Sequence, residues 1–257
     1  AWWQKDSKLS APKNSNLKTV MDFSFFDKIN IAKNEQTETW FKGLDRIYNN
    51  FVYDFLYPAP ASVLAFIENH DTDRFLAEGN NLPMLKQAST LLLTTRRIPQ
   101  LYYGTEVMMT GVKDKSDGYV RKDFPGGWPH DKATAFTADG RSKLQNECHD
   151  FYKTILNWRK GNEVIAKGDM VQFMVQNGVY AYARQHEGKT VFVMLNGTDA
   201  ETSVPLKFYK EVLKDCKHGK DILSGKIITL GEELNMAARE SLVIELSRLE
   251  STDRNVN

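Results

Sequence analysis

Two short apolar runs separated by a helix-forming stretch constrain this chain more than any other feature. Ser62–Ile67 (SVLAFI) and Ile98–Tyr103 (IPQLYY) lack the polar alternation of a strand with one wet face, so both read as strands buried on two sides. Between them Leu82–Thr95 is rich in leucine, with Pro83 placed for the first turn of a helix. Strand, helix and strand in that order make a parallel βα unit. Thr19–Phe23 (TVMDF) reads as an earlier strand. From Thr37 to Tyr57, residues Trp40, Phe41, Leu44, Ile47, Tyr48, Phe51, Val52 and Phe55 recur at helical spacing, and Pro58 and Pro60 end the pattern. A long loop rich in Gly, Asp and Lys follows the last apolar run, and Arg141–Lys160 is again helical. Three parallel βα units are therefore expected, fewer than a closed sheet of this kind requires.

The texture changes after about Gly161. Met170–Val175 and Val179–Arg184 flank Gln176-Asn177-Gly178, and Asn-Gly between such runs is a strong hairpin signal. Glu187-Gly188-Lys189 turns into Thr190–Leu195, and Ile222–Leu230 and Ser241–Leu246 read as further strands. The expected organisation is an α/β part over residues 1–165, a small antiparallel β domain over 166–250 and a polar tail over 251–257.

Composition narrows the function classes. With 257 residues the chain has room for one and a half to two domains at roughly 150 residues each. The 34 basic and 33 acidic side chains nearly cancel to a net charge of +1, and no basic stripe suggests a nucleic-acid partner. Mean hydropathy is −0.48, and no apolar run approaches the ~20 residues of a membrane span. Cys148 and Cys216 stand far apart without a metal-ligand spacing and read as two buried thiols. The first residues lack the basic start and apolar core of a signal peptide.

The densest polar group is Glu68-Asn69-His70-Asp71-Thr72, at the C-terminal end of the first buried run. In parallel βα proteins that is where ligands bind. Five consecutive hydrogen-bonding side chains are costly to bury for structure alone, although a solvated loop capped by Asp71 or Asp73 would also explain them. Tyr102-Tyr103-Gly104-Thr105-Glu106 occupies the matching place after the second run, and Arg121 to Pro129 forms a Gly- and Pro-stiffened turn carrying Arg121 and Trp128. Asp114–Gly118 lacks the terminal Glu of a calcium loop, so no metal is assigned. Asn196-Gly197-Thr198 matches a glycosylation sequon, a motif short enough to arise by chance.

These motifs resemble a known family. FIENHDTDRF looks like the Asn-His-Asp segment that follows the seventh barrel strand in the α-amylase family, glycoside hydrolase family 13. IPQLYYGTE is similar to its eighth-strand segment, with Arg97 where glycine is usual, and DGYVRKDFPGGW resembles the neopullulanase and cyclomaltodextrinase branch. The resemblance implies the last three βα units of a TIM (β/α)8 barrel followed by a small β-sandwich. It implies a retaining glycosidase acting on α-1,4-linked glucans (starch, maltodextrin, cyclodextrin or pullulan), with a transglycosylase or an inactive amylase-like binding protein as alternatives. Nothing here resembles the family's nucleophilic Asp or acidic Glu, and AWWQKDS looks like sequence that follows the acid.

By the same resemblance Asp71 is the third, transition-state-stabilising carboxylate. His70, Asn69, Arg74 and Tyr103 bind substrate, with Asn69 orienting the pair, and Glu106 and Arg121 brace the eighth-strand loop by an ion pair. Trp2, Trp3, Tyr103 and Trp128 are candidate sugar platforms. No cofactor is implied for this stretch, calcium being an expectation only for other parts of such an enzyme. The implied partner is an α-glucan, with self-association through open barrel edges. A bacterial source with export, to the periplasm or beyond, is the expected setting, and the cytoplasm is the alternative.

Overall fold

The computed structural model describes residues 4–7, 15–37, 40–79 and 81–247. Trp2, Trp3 and the 251–257 tail lie outside these. A short parallel ladder organises the first part. β1 (Leu64–Ala65) pairs with β2 (Ile98–Pro99), Leu64 opposite Ile98, and Met21 bridges Leu64 from the other side. Backbone bonds lengthen the ladder beyond its regular core. Ile98 N–H donates to Val63 O at 2.9 Å, Gln100 N–H to Ala65 O at 2.8 Å, and Leu64 N–H to Val20 O at 3.0 Å. The regular strands are shorter than the apolar runs, since Pro99 has no N–H to give a neighbour.

Helices pack around this ladder. α1 (Phe23–Ala32) starts where the sequence suggested continuing strand, because the Asp22 side chain accepts from Phe25 N–H at 3.0 Å and caps it. The helix expected over 37–57 is limited to α2 (Asp45–Val52) and a 3-10 turn, Tyr53–Leu56. Phe41 and Gly43 adopt left-handed φ of +62° and +53°, which no helix accommodates. α3 (Leu82–Thr94) begins with an Asn81 cap and Pro83, and α5 (Lys143–Arg159) with a capping box between Ser142 and Gln145. Short helices α4 (Asp117–Val120), α6 (Glu163–Lys167) and α7 (Lys210–Leu213) complete the described set.

From Asp169 the chain is antiparallel. The strands are β3 (Asp169–Gln172), β4 (Val179–His186), β5 (Lys189–Asn196), β6 (Thr202–Pro205), β7 (His218–Asp221), β8 (Ile227–Thr229), β9 (Glu233–Met236) and β10 (Ser241–Ser247). Six form one sheet ordered β3-β4-β5-β10-β7-β8, and β6 pairs with β9. Asn177 and Gly178, with φ of +49° and +77°, make the two-residue turn between β3 and β4 that their identities suggested. Of the stretch expected as one strand over 222–230, only 227–229 is strand (β8); the residues before it form the turn from β7, tied by the Asp221 carboxylate to Ser224.

The sheet is covered on both faces. Tyr180, Tyr182, Val193, Leu195 and Val243 join the core of α1, α2, α3 and α5, whereas Val179, Ala181, Phe192 and Ile244 pack against Val204, Tyr209 and Met236. Arg184 fastens the two parts. It is buried and donates to Thr94 O, Ile165 O and Gly168 O at 2.8, 3.0 and 2.7 Å, the first two at the C-terminal ends of α3 and α6. Cations suit helix C-termini, and burial still lowers its pKa to about 10.

Arg97, the departure from the family pattern, is buried. It bonds Asp22 at 3.0 Å, pairs with both oxygens of Asp54 and lies 5.3 Å and 5.2 Å from the ring centres of Phe51 and Tyr57. Removing one partner of such a group leaves buried charge uncompensated. Arg97→Leu is expected to lower unfolding free energy by about 3–5 kcal/mol in urea titration, and Asp54→Asn should recover part of that loss. Cys148 and Cys216 are buried and not joined in a disulfide. Burial pushes the Cys148 thiol up to about 12, so at pH 8 the thiolate fraction is about 10⁻⁴. Maleimide at pH 8 should therefore modify Cys148 only when urea unfolds the chain, as read by peptide mass spectrometry.

Candidate active site

The polar segment after β1 divides by burial. Glu68, Asn69 and Arg74 turn inward, whereas His70 and Asp71 stand in solvent with side chains 58% and 56% exposed. Glu68 anchors the turn: its carboxylate accepts from Arg74 Nη1 at 3.2 Å, from the Thr105 hydroxyl and from Phe75 N–H. Burial raises the Glu68 pKa, outweighing these three donors. Arg74 then reaches Tyr103 O at 2.6 Å and Val120 O at 3.0 Å, its guanidinium 4.0 Å from the Tyr102 ring centre. One buried pair thus ties the loops after both strands to α4.

On this base Asn69 shapes the tip. Its side-chain oxygen accepts from Asp71 N–H at 2.8 Å, and Thr72 Oγ1 accepts from Asn69 N–H at 3.0 Å. Asp71 is bracketed: Oδ2 lies 3.2 Å from His70 Nε2 and Oδ1 lies 3.0 Å from Arg121 Nη2. Arg121 also donates from Nε to His70 O at 2.8 Å and pairs with Asp117 at 3.0 Å. Lys113 donates to Asp71 O at 2.7 Å and, from its backbone, to Asp73 at 2.6 Å. A groove of about 950 Å³ opens beside Asp71, Thr72 and Asp73, walled opposite by Asn30 and Lys33 of α1 and its cap. Burial lowers the Lys33 pKa, with Glu68 and Asp73 acting against that shift.

Several expectations change. Arg74 is fully buried and cannot reach a substrate; it braces the loop. Asn69 is buried, with its side-chain oxygen on Asp71 N–H. Arg121 forms no ion pair with Glu106, because its guanidinium is turned to Asp71 and Asp117. Tyr103 is partly exposed, with its hydroxyl donating to Lys122 O at 2.6 Å. Trp128 is exposed, its indole N–H donating to Asp123 at 2.8 Å. The sequon Asn196 is buried and donates to Ala200 O and Ala237 O, both at 2.8 Å, so it is a structural knot. Lys113 and Asp117 were missed as neighbours of Asp71. The i, i+4 spacing of Asp117 and Arg121 announces their own pair, but nothing local announces that they meet residue 71.

Two family models match the chain and overlap over residues 170–180. The model of the alpha amylase catalytic domain matches residues 4–180, and that of the cyclo-malto-dextrinase C-terminal domain matches residues 170–245. The chain belongs to the α-amylase family. An α-amylase of Niallia circulans is 30% identical over 226 residues, which cover 85% of this chain and 38% of that protein. A cyclomaltodextrin glucanotransferase of Thermoanaerobacterium thermosulfurigenes is 29% identical over 217 residues, 81% of this chain and 28% of that one. The crystal structure of an Anoxybacillus α-amylase superposes with a TM-score of 0.73 at 20% identity, covering 92% of this chain and 49% of the other. This α-amylase-family chain thus spans well under two thirds of the curated relatives it matches.

The two ion pairs of the site should differ in what they hold together. Arg74→Met leaves Glu68 buried without its cation and is expected to cost about 3–5 kcal/mol. Arg121→Ala removes a solvent-exposed partner and should cost less than about 1 kcal/mol. Urea titration of both variants beside the parent chain checks the contrast.

Proposed function

We propose that this chain is the closing portion of a retaining glycoside hydrolase that acts on α-1,4-linked glucans, with Asp71 as its third carboxylate. In this reading residues 1–165 supply the last three βα units of a (β/α)8 barrel and residues 166–250 its C-terminal domain. The observation that carries it is the exposed His70–Asp71–Arg121 group at the C-terminal end of β1, held by a buried ion pair. Retaining glycosidases use two carboxyl groups about 5 Å apart. We assign those two to parts of the enzyme outside residues 1–257, so Asp71 neither attacks nor protonates.

Its hydrogen bonds support that role. Asn69 holds the backbone of Asp71, and Arg121 and His70 each face one carboxylate oxygen. A carboxylate offers about four lone-pair positions, leaving room for hydroxyls of the sugar at the cleavage subsite. A carboxylate oriented beforehand stabilises positive charge developing on that ring without reorganising during the reaction. His70 donates to the same sugar. Arg121, facing Asp71, is a positioning residue here.

The relatives named cyclomaltodextrin glucanotransferase favour a second reading, in which a sugar hydroxyl replaces water as acceptor. Chromatography of products from maltoheptaose separates the two, because transfer gives longer or cyclic glucans where hydrolysis gives shorter linear ones. We further propose that the chain alone associates through its short parallel ladder, whose Met21, Ile98 and Leu101 are exposed.

In the complete enzyme, Asp71→Asn should lower kcat by roughly 10²–10⁴-fold with little change in Tm. A loss below tenfold would reduce Asp71 to a loop cap. The isolated chain should release no reducing sugar from maltodextrin and should scatter light as a species larger than a monomer. Hydrolysis by a monodisperse monomer would overturn the division of labour proposed above.

A further inference from the structure

The loop before α2 does something its apolar residues did not suggest. Trp40 and Phe41, which helical spacing would have buried, are 68% and 62% exposed. Phe41 holds a φ of +62°, a region that a bulky side chain enters only at a cost. The surrounding contacts enforce it. Phe41 N–H donates to Asp45 Oδ2 at 2.6 Å and Gly43 N–H to Glu35 at 2.8 Å, while Glu35 is itself held by Arg46 at 2.7 Å.

Thr37 pins the loop to the β sheet. Its N–H donates to Gly197 O at 3.0 Å and its Oγ1 accepts from Leu44 N–H at 2.9 Å. It sits among three glycines, where an added Cβ on Gly43 or Gly197 would come within 2.2 or 2.0 Å of Thr37 Oγ1, and one on Gly178 within 2.9 Å of Thr37 O. Phe41 in its strained conformation and the exposed Trp40 thus lie in a loop held at Thr37 and at Asp45.

Beside Trp40 lies a groove of about 570 Å³ that runs along Thr37, Gln176, Asn177 and Thr198, on the turn between β3 and β4. Among the described residues that line it, Asp45 alone is charged, and it is buried and accepts from Phe41 N–H and Asn49 Nδ2. The groove thus offers an aromatic wall and uncharged hydroxyls and amides. The Gln176 side-chain amide makes no hydrogen bond among the described residues, and the Asn177 side chain spends only its Nδ2, on Ser203 O at 3.1 Å. That chemistry suits a neutral polyhydroxyl with one apolar face, and the described lining gives an anionic ligand no cation.

We propose that this groove binds a segment of α-glucan, apart from Asp71 and without chemistry of its own, with Trp40 as the stacking platform and Gln176 and Asn177 meeting hydroxyls. The inference rests on the α-glucan reading above. Maltoheptaose titrated into the 257-residue chain, followed by ligand-observed NMR and by retardation in starch-containing native gels, tests it. Trp40→Ala should weaken binding at least fivefold and Gln176→Ala at least twofold, whereas a His70→Ala/Asp71→Asn variant should keep most of the retardation. Phe41→Gly, which relieves the left-handed strain, should weaken binding while Tm holds or rises. Binding that survives Trp40→Ala but vanishes in the His70/Asp71 variant overturns the groove and leaves the catalytic reading intact. A parent chain that binds no maltoheptaose at about 10 mM also overturns the groove, and the catalytic reading is then judged separately by the turnover of Asp71→Asn in the complete enzyme.

Discussion

The buried pair of Glu68 and Arg74 is the constraint on which the site depends. Two opposite charges taken out of water need further hydrogen bonds to offset the lost hydration, and here Arg74 Nε and Nη1 find partners while Nη2, buried, has none among the described residues. Glu68 also accepts from Thr105 and Phe75, and Arg74 also donates to Tyr103 and Val120 and stacks on Tyr102. These partners come from three segments: Phe75 beside Arg74 itself, Tyr102 to Thr105 after β2, and Val120 of α4. The pair therefore fixes where the segment after β1 meets the segment after β2 and α4, and leaves His70 and Asp71 the only outward direction. Exposure of Asp71 is thus a consequence of what its neighbours bury.

A second network performs the same task away from the site. Arg97 links Asp22 and Asp54, and Arg184 gathers carbonyls from α3, α6 and the chain entering β3. Arginine suits both positions because its planar group presents several donors at fixed angles and keeps its charge when buried. Apolar packing supplies the area: Tyr180, Tyr182 and Val193 of the sheet lie in one core with Leu85, Leu92 and Ile155 of the helices. The antiparallel part is consequently a wall of the α/β part, and its β3–β4 turn comes to lie beside the loop carrying Trp40.

Much of this was legible in advance. The unalternating runs at 62–67 and 98–103 marked two parallel neighbours, Pro83 and Ser142 marked helix starts, and Asn177-Gly178 marked a hairpin, because each signal is a local steric or capping preference. The polar segment 68–72 announced the site for a similar reason, since its cost in a core is visible residue by residue. Arg74, Arg121 and Trp40 were misread. The family resemblance gave Arg74 a contact with substrate, yet its partners lie 6 to 46 positions away in the chain. Arg121 was given to the nearby Glu106 and went to Asp71 instead.

Sequence by itself determined the order of strands and helices, the caps and turns, and the segment from which Asp71 and His70 project, since those depend on backbone preferences spanning a few residues. Tertiary structure decided which charges face inward, which cation brackets Asp71, and that Phe41 would hold a left-handed backbone and keep Trp40 out of the core. Those outcomes depend on desolvation and steric contact between segments tens of residues apart. Thr37 wedged among Gly43, Gly178 and Gly197 illustrates the difference: Gly178 is announced by its turn, whereas the contacts of Gly43 and Gly197 with Thr37 Oγ1 appear only in space.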